Sequence, residues 1–236
     1  MAKTTTVASI GAALAALGQR VLLVDLDPQA CLTFSVGLDP EDLDKSIYHV
    51  LLGGVKARDV IVPSDEGPEL LPATIELATA EVRLAAESSP EHLVRSALRP
   101  IEAGYDWILI DCPPTLGLLT VNGLTAATDV LIPLQCETLA HRGVGQLLDT
   151  IHDVQRLTNP GLEVLGVLPT QYDGRTTHAR AVLDTIAETY ELTVLTPAIP
   201  KSIRFAEAPA IGRTILTTSP RSAGAKAYRD VAASLL

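Results

Sequence analysis

Lys3-Thr4-Thr5-Thr6 and, one helix length later, Arg20-Val21-Leu22-Leu23-Val24-Asp25 are the stretches that decide the fold. Between them residues 7–17, VASIGAALAAL, are rich in Ala and Leu and favour a helix. Gly18 is placed to end it, because glycine enters the left-handed region without a Cβ penalty. Residues 21–24 are consecutive apolar residues, the pattern of a strand buried on both faces. The order is loop, helix, glycine, buried strand, acid. That is half of a βαβ unit whose first strand is missing from the sequence. Lys3 and Thr4 stand where a phosphate-binding loop, G-x-x-x-x-G-K-[ST], carries its Lys and Ser/Thr. The glycines and the preceding strand have no counterpart. Taken alone, Met1-Ala2-Lys3-Thr4-Thr5-Thr6 reads equally well as an ordinary polar start, so the rest of the chain must decide.

Outward from that unit, helical and strand patterns alternate. Strands are expected at 69–72, 106–111, 129–134, 162–168 and 192–195. Helices are expected at 75–88, 91–103, 116–127, 140–157, 176–189 and 223–236. Residues 37–64 are less regular and are expected as surface helices and loops. Strands alternating with helices imply an α/β fold, a mostly parallel doubly wound sheet with helices on both faces. The sequence predicts one domain over 1–236. In such sheets ligands sit at the carboxyl ends of strands. That selects Asp25 and Asp27, Asp111, Gln135 and Glu137, and the stretch from Thr170 to Asp173.

Composition narrows the class. The chain has 236 residues, 47% hydrophobic and only 3% aromatic, so Ala, Leu and Val must build the core. No apolar run reaches membrane-spanning length, and no signal-peptide pattern appears at the start. Cys31, Cys112 and Cys136 form no C-x-x-C pair, which argues against a zinc site or a disulfide framework and fits a reduced, cytoplasmic setting. The formal net charge is −10. It is uneven: residues 1–172 hold 10 Lys and Arg against 22 Asp and Glu, whereas residues 173–236 hold 8 against 6. The last quarter is therefore a candidate for a local basic face, although ordinary scatter gives the same count.

Two acidic motifs carry the chemistry. Asp25-Leu26-Asp27-Pro28-Gln29 follows the first strand, and Pro28 forces a turn that leaves carboxylates at the sheet's edge. Asp111-Cys112-Pro113-Pro114 follows the apolar run Trp107 to Ile110, the pattern of a strand whose terminal acid holds Mg²⁺ directly or through water. Phosphoryl transfer needs a hydrated Mg²⁺ and a group that orients the attacking water. Either motif alone is also compatible with a solvated loop.

Together the motifs resemble those of the ParA/Soj partition ATPases, in the deviant Walker A (MinD/ParA) group of P-loop ATPases. The group's K-G-G-V-[GA]-K-T-T-T loop is matched at its end by Ala2-Lys3-Thr4-Thr5-Thr6. Its V-D-x-D-P-Q motif is similar to Val24 through Gln29, and its D-x-P-P to Asp111 through Pro114. Later stretches also match: Tyr172-Asp173-Gly174-Arg175-Thr176, Ile199 through Pro209, and Pro220 through Tyr228. The resemblance spans essentially the whole chain and implies ATP hydrolysis to ADP and phosphate, with ATP and Mg²⁺ bound.

By this resemblance Lys3 is expected to bind the β/γ-phosphates, Thr4 to ligate Mg²⁺ and Thr5 to add a phosphate contact. Pro200 and Ser202 are expected beside the nucleotide. Asp25 and Asp111 belong to the Mg²⁺ shell, and Asp27 is required for hydrolysis. Arg175, Lys201 and Arg204, with Arg180 in support, are implied in non-specific DNA binding by an ATP-dependent homodimer. Surface ion pairs to Asp173, Asp184 or Glu207 are the competing use of these arginines. A ParB-like activator would release the dimer by stimulating hydrolysis, and the setting would be nucleoid-associated.

The signature lysine before the G-G pair, the glycines and the central strand have no counterpart, so the chain is expected to bind ATP weakly and, with an interior strand lacking, to be less stable. A membrane-bound relative would need a basic amphipathic C-terminal helix; residues 228–236 carry one acid and one base. No membrane partner and no N-terminal helix-turn-helix domain are expected. An iron–sulfur carrier would need a ligating cysteine pair. Positioning of another cargo and a non-hydrolysing remnant are the remaining alternatives.

Overall fold

The computed structural model describes residues 2–137 and 140–236. Helix α1 (Ala2–Ala16) is followed by strand β1 (Val21–Asp25), all five residues of which are buried. Short helix α2 (Cys31–Ser35) follows the acidic turn. The irregular stretch that comes next holds α3 (Ile47–Leu52) and the antiparallel pair β2 (Val62–Pro63) and β3 (Glu69–Leu71). Then come α4 (Leu77–Leu84), α5 (Leu93–Leu98), β4 (Trp107–Asp111) and α6 (Leu118–Ala126). The second half is β5 (Asp129–Gln135), α7 (Ala140–Leu157), β6 (Glu163–Thr170) and α8 (Thr177–Tyr190). It closes with α9 (Arg204–Glu207), α10 (Ile215–Thr218) and α11 (Ala223–Ser234).

Apart from the β2–β3 pair the strands run parallel, in the order β2-β3-β1-β4, with β5-β6 forming a separate ladder. No described strand lies hydrogen-bonded between β4 and β5. The two ladders thus meet at a break. It shows in burial: Trp107, Ile108, Leu109 and Ile110 form an uninterrupted apolar strand, yet each is only half-buried. Helix α1 touches both β4 and β5 and so ties the two ladders together.

Helices cover both faces. Helices α1 and α11 pack on one face of β1, with Leu14, Leu23, Tyr228 and Val231 inside. On the other face α3, α4, α5 and α6 enclose Leu22, Val24, Leu77 and Val94. The β5–β6 ladder has its own cluster with α7 and α8, including Ile132, Ile151 and Ile186.

Three expectations need correction. The helix expected over 91–103 is regular only across α5, because Pro100 has no amide to donate and restricts the residue before it. The one expected over 75–88 ends at Leu84, before Ser89 adopts a left-handed conformation with φ of 54°. The strand expected at 192–195 is reduced to an isolated bridge, Val194 to Val167, held by Val167 N–H to Thr193 O (2.8 Å) and Leu195 N–H to Val167 O (2.8 Å).

Candidate active site

The register of β1 and β4 pairs Asp25 directly with Asp111, so two carboxylates meet at the carboxyl end of the parallel ladder. Both are buried, at 0% and 1% exposure. Their surroundings differ. Asp25 Oδ1 accepts the Asp27 amide (3.0 Å), while Oδ2 accepts the Thr33 amide (2.9 Å) and the Thr33 hydroxyl (2.8 Å). Thr33 Oγ1 in turn accepts the Ala73 amide at 3.0 Å. Asp25 thus fastens the acidic turn, α2 and the exit of β3 to one point. Its carboxyl is pushed up to about 6 because burial outweighs these hydrogen bonds.

Among the described residues neither oxygen of Asp111 has a hydrogen-bond partner of good geometry. Its carboxyl is pushed up to about 7, first by burial and then by the neighbouring Asp25 and Asp27; Thr4 and Lys3 lie near enough to oppose this in part. A buried, unpaired carboxylate is costly unless something cationic or protic meets it. Lys3, in the first turn of α1, donates Nζ–H to Pro113 O at 3.3 Å, which sets its ammonium over the loop that follows Asp111. Asp27 is 9% exposed and accepts the Gln29 amide at 2.9 Å, closing the turn that Pro28 begins.

Thr4, Lys3, Asp25, Asp27 and Asp111 are therefore gathered at one sheet end. The oxygen donors suit a hard cation. Among the described residues no group of three His, Cys, Asp or Glu side chains encloses a metal. Mg²⁺ tolerates this, because it keeps waters and takes phosphate oxygens alongside one or two protein ligands. The orphaned Asp111 fits that role; Asp25, whose oxygens already accept three hydrogen bonds, fits a positioning one. Thr5 sits half-buried on the same helix and borders a small cleft with Ser9, Ser35 and Phe205.

A second group forms at the end of β6. The Tyr172 amide donates to Ile199 O (2.9 Å) and the Lys201 amide to Tyr172 O (3.3 Å), with Tyr172 bridging Pro200. This pairing lays Tyr172 beside Ile199–Lys201, and Arg175, Lys201 and Arg204 are each exposed. Arg175 makes a forked contact with Asp173, Nε–Oδ1 and Nη2–Oδ2 both 2.9 Å, but its side chain is 90% exposed. Arg204 donates to Ser219 Oγ (2.6 Å) rather than to Glu207, and Arg180 to Gly174 O (3.3 Å). Ser202 Oγ accepts the Arg204 amide at 3.3 Å. Among the described residues no hydrogen bond joins Pro200 or Ser202 to Lys3 or Thr4.

Residues 1–164 match the AAA domain family. Over 231 residues the chain is 42% identical to the sporulation initiation inhibitor protein Soj of Bacillus subtilis (strain 168), covering 98% of this chain and 91% of Soj. The chain belongs to the ParA/MinD group of P-loop ATPases. Within that group it is also 44% identical over 234 residues to the chromosome-partitioning ATPase Soj of Thermus thermophilus, covering 99% of this chain and 90% of that one. A solved structure of cobyrinic acid a,c-diamide synthase from Mycobacterium smegmatis, with bound ADP and magnesium, superposes with a TM-score of 0.89 at 55% identity. That likeness covers 99% of this chain and 88% of the solved one. The mostly parallel, helix-covered sheet is thus a P-loop fold of the ParA/MinD group.

Sequence reasoning missed Thr33 and Ser219. Both act through the fold: Thr33 lies eight residues beyond Asp25 and Ser219 fifteen beyond Arg204. Neither stands in a motif whose spacing would have singled it out.

Proposed function

We propose that the chain is an ATP-dependent DNA-segregation ATPase acting as one domain over 1–236. Its ATP-bound homodimer binds DNA without sequence preference and lets go after hydrolysis, which a ParB-like partner stimulates at the nucleoid. The observation that carries this reading is the buried Asp111 carboxylate, left without a partner beside Lys3 and Thr4.

In this reading Lys3 binds the β/γ-phosphates, Thr4 and Asp111 hold Mg²⁺, and Asp27 orients the attacking water. Thr5, Pro200 and Ser202 complete the nucleotide contacts. Bound Mg²⁺ supplies charge neutralisation on the phosphate oxygens. Asp25 keeps the Asp27 turn in place through the Asp27 and Thr33 amides, so the hydrolytic acid rides on a fixed support. Arg175, Lys201 and Arg204 take DNA phosphates. The Arg175–Asp173 pair does not oppose this, since an exposed ion pair is weak in water and a phosphate replaces the carboxylate readily. No described helix is long and apolar enough to cross a membrane. Amide formation through a cysteine nucleophile finds no support: burial pushes all three thiols upward, Cys112 to about 12, away from a reactive thiolate.

Retention of two duplexes of unrelated sequence, with and without Mg-ATP, tests the reading. Both should be bound equally and only with Mg-ATP. Arg175→Glu combined with Arg204→Glu should weaken binding about tenfold or more. Unchanged affinity in that variant would remove the arginines from the interface, and failure of Mg-ATP to raise the melting temperature would remove the nucleotide assignment.

A further inference from the structure

A second concave feature lies apart from the carboxyl end of the sheet. It is an open groove of about 450 Å³ between α3 with the loop after it and the face of α5. Leu51 and Val55 form one wall, and Leu93, Ala97 and Ile101 the other. Leu93 and Ala97, four apart on α5, turn an apolar face to the opening, and Ile101 in the turn beyond the helix extends it. The volume falls within the range of ligand sites, roughly 300–1,000 Å³. The shape does not suit a small molecule, because Gly54, Ser96 and Pro100 on its lining are exposed and would leave much of such a ligand in water. It suits the apolar face of a partner helix laid along it.

Charge fixes the partner's chemistry. No lining residue is acidic, and two, Lys56 and Arg58, are cationic and exposed. Arg95 on α5 and Arg99 just past its end are exposed too, outside the groove lining. Among the described residues none of these four cations makes an ion pair or a side-chain hydrogen bond, although the chain as a whole carries a net charge of −10. Two unpaired cations on the α3 side of an apolar trough whose lining holds no acid, on an otherwise acidic protein, select an opposite sign. We infer that this groove docks an acidic amphipathic helix of a partner protein, its leucine-type side chains between α3 and α5 and its carboxylates at Lys56 and Arg58. The site is separate from the nucleotide residues and needs no bound ATP.

The probe is a fluorescein-labelled synthetic helix with Leu at i, i+3, i+4 and i+7 and Glu on the flanks, alongside a twin carrying Lys for Glu. Anisotropy titrations against the whole chain should show the Glu peptide binding at least about tenfold more tightly than its twin. Lys56→Glu with Arg58→Glu should erase that preference, and Ala97→Trp, which fills the trough, should abolish binding of both. If Ala97→Trp fails to fold, the charge variant, confined to an exposed loop, decides alone. The proposal is overturned if neither peptide binds, if both bind equally, or if the charge variant leaves the preference intact. It is equally overturned if phosphatidylglycerol vesicles capture the chain through Lys56 and Arg58 while the Glu peptide does not.

Discussion

Asp25 and Asp111 are matched in register on neighbouring strands, yet one accepts three hydrogen bonds and, among the described residues, the other accepts none of good geometry. Their carboxyls are raised from 3.8 to about 6 and about 7. A carboxyl whose folded value lies above its unfolded one keeps its proton in the native state at pH values where the unfolded chain has released it. Its stabilising contribution is complete below 3.8 and is lost as pH rises through about 6 to 7. The ligand-free protein should therefore be more stable near pH 5 than near pH 8, by on the order of a few kcal/mol, in urea titrations. Asp111→Asn should flatten most of that slope, raise stability at pH 8, and remove stabilisation by Mg-ATP. A variant that keeps the wild-type profile would show that Asp111 is not the strained group. This site was legible in part. The acids and the lysine announced themselves by motif, but the unequal solvation of two similar aspartates depends on Thr33, and only the folded chain brings Thr33 to Asp25.

At the scale of elements, α2 leaves the acidic turn and its exit meets the turn between α9 and α10. Gly37 and Gly212 touch there backbone to backbone. Gly212 has φ of +64°, and a Cβ placed on it would lie 2.5 Å from Gly37 Cα. Gly212→Ala should cost about 2 kcal/mol or more in urea denaturation, since both the conformation and the space exclude a methyl group. It should also loosen the support of α9, which begins at Arg204, and so lower DNA retention more than a surface alanine does. Wild-type stability in the Gly212→Ala variant would refute this close approach. Elements built from local signals were readable beforehand. Residues 21–25 and 107–111 are unbroken apolar runs ending in acid, and α7 runs over Ala140–Leu157 as its periodicity predicts. Elements that depend on distant partners were not. Residues 192–195 have strand-like composition, but only Val194 finds a bridging partner on β6. Cys31–Ser35 is too short to declare itself a helix and forms where Asp25 captures the Thr33 amide.

For the whole molecule, the proposed function has an acidic body with a few cations take DNA through a small number of phosphates. Arg175, Lys201 and Arg204 from each of two protomers give about six contacts, so the logarithm of the binding constant should fall against the logarithm of salt with a slope of about −5. A slope near zero would contradict the proposed interface. Salt acts on a second feature as well. Among the described residues the β4 and β5 edges at the break have no strand partner, and the β4 edge carries the apolar run Trp107 to Ile110. Such edges are templates for strand addition between molecules. The net charge of −10 keeps copies apart at low ionic strength, and screening removes that protection. The colloidal behaviour of the chain is thus governed by the same variable that would weaken the proposed hold on DNA: concentrated salt would free the protein from the polymer and at the same time expose it to self-association, edge to edge.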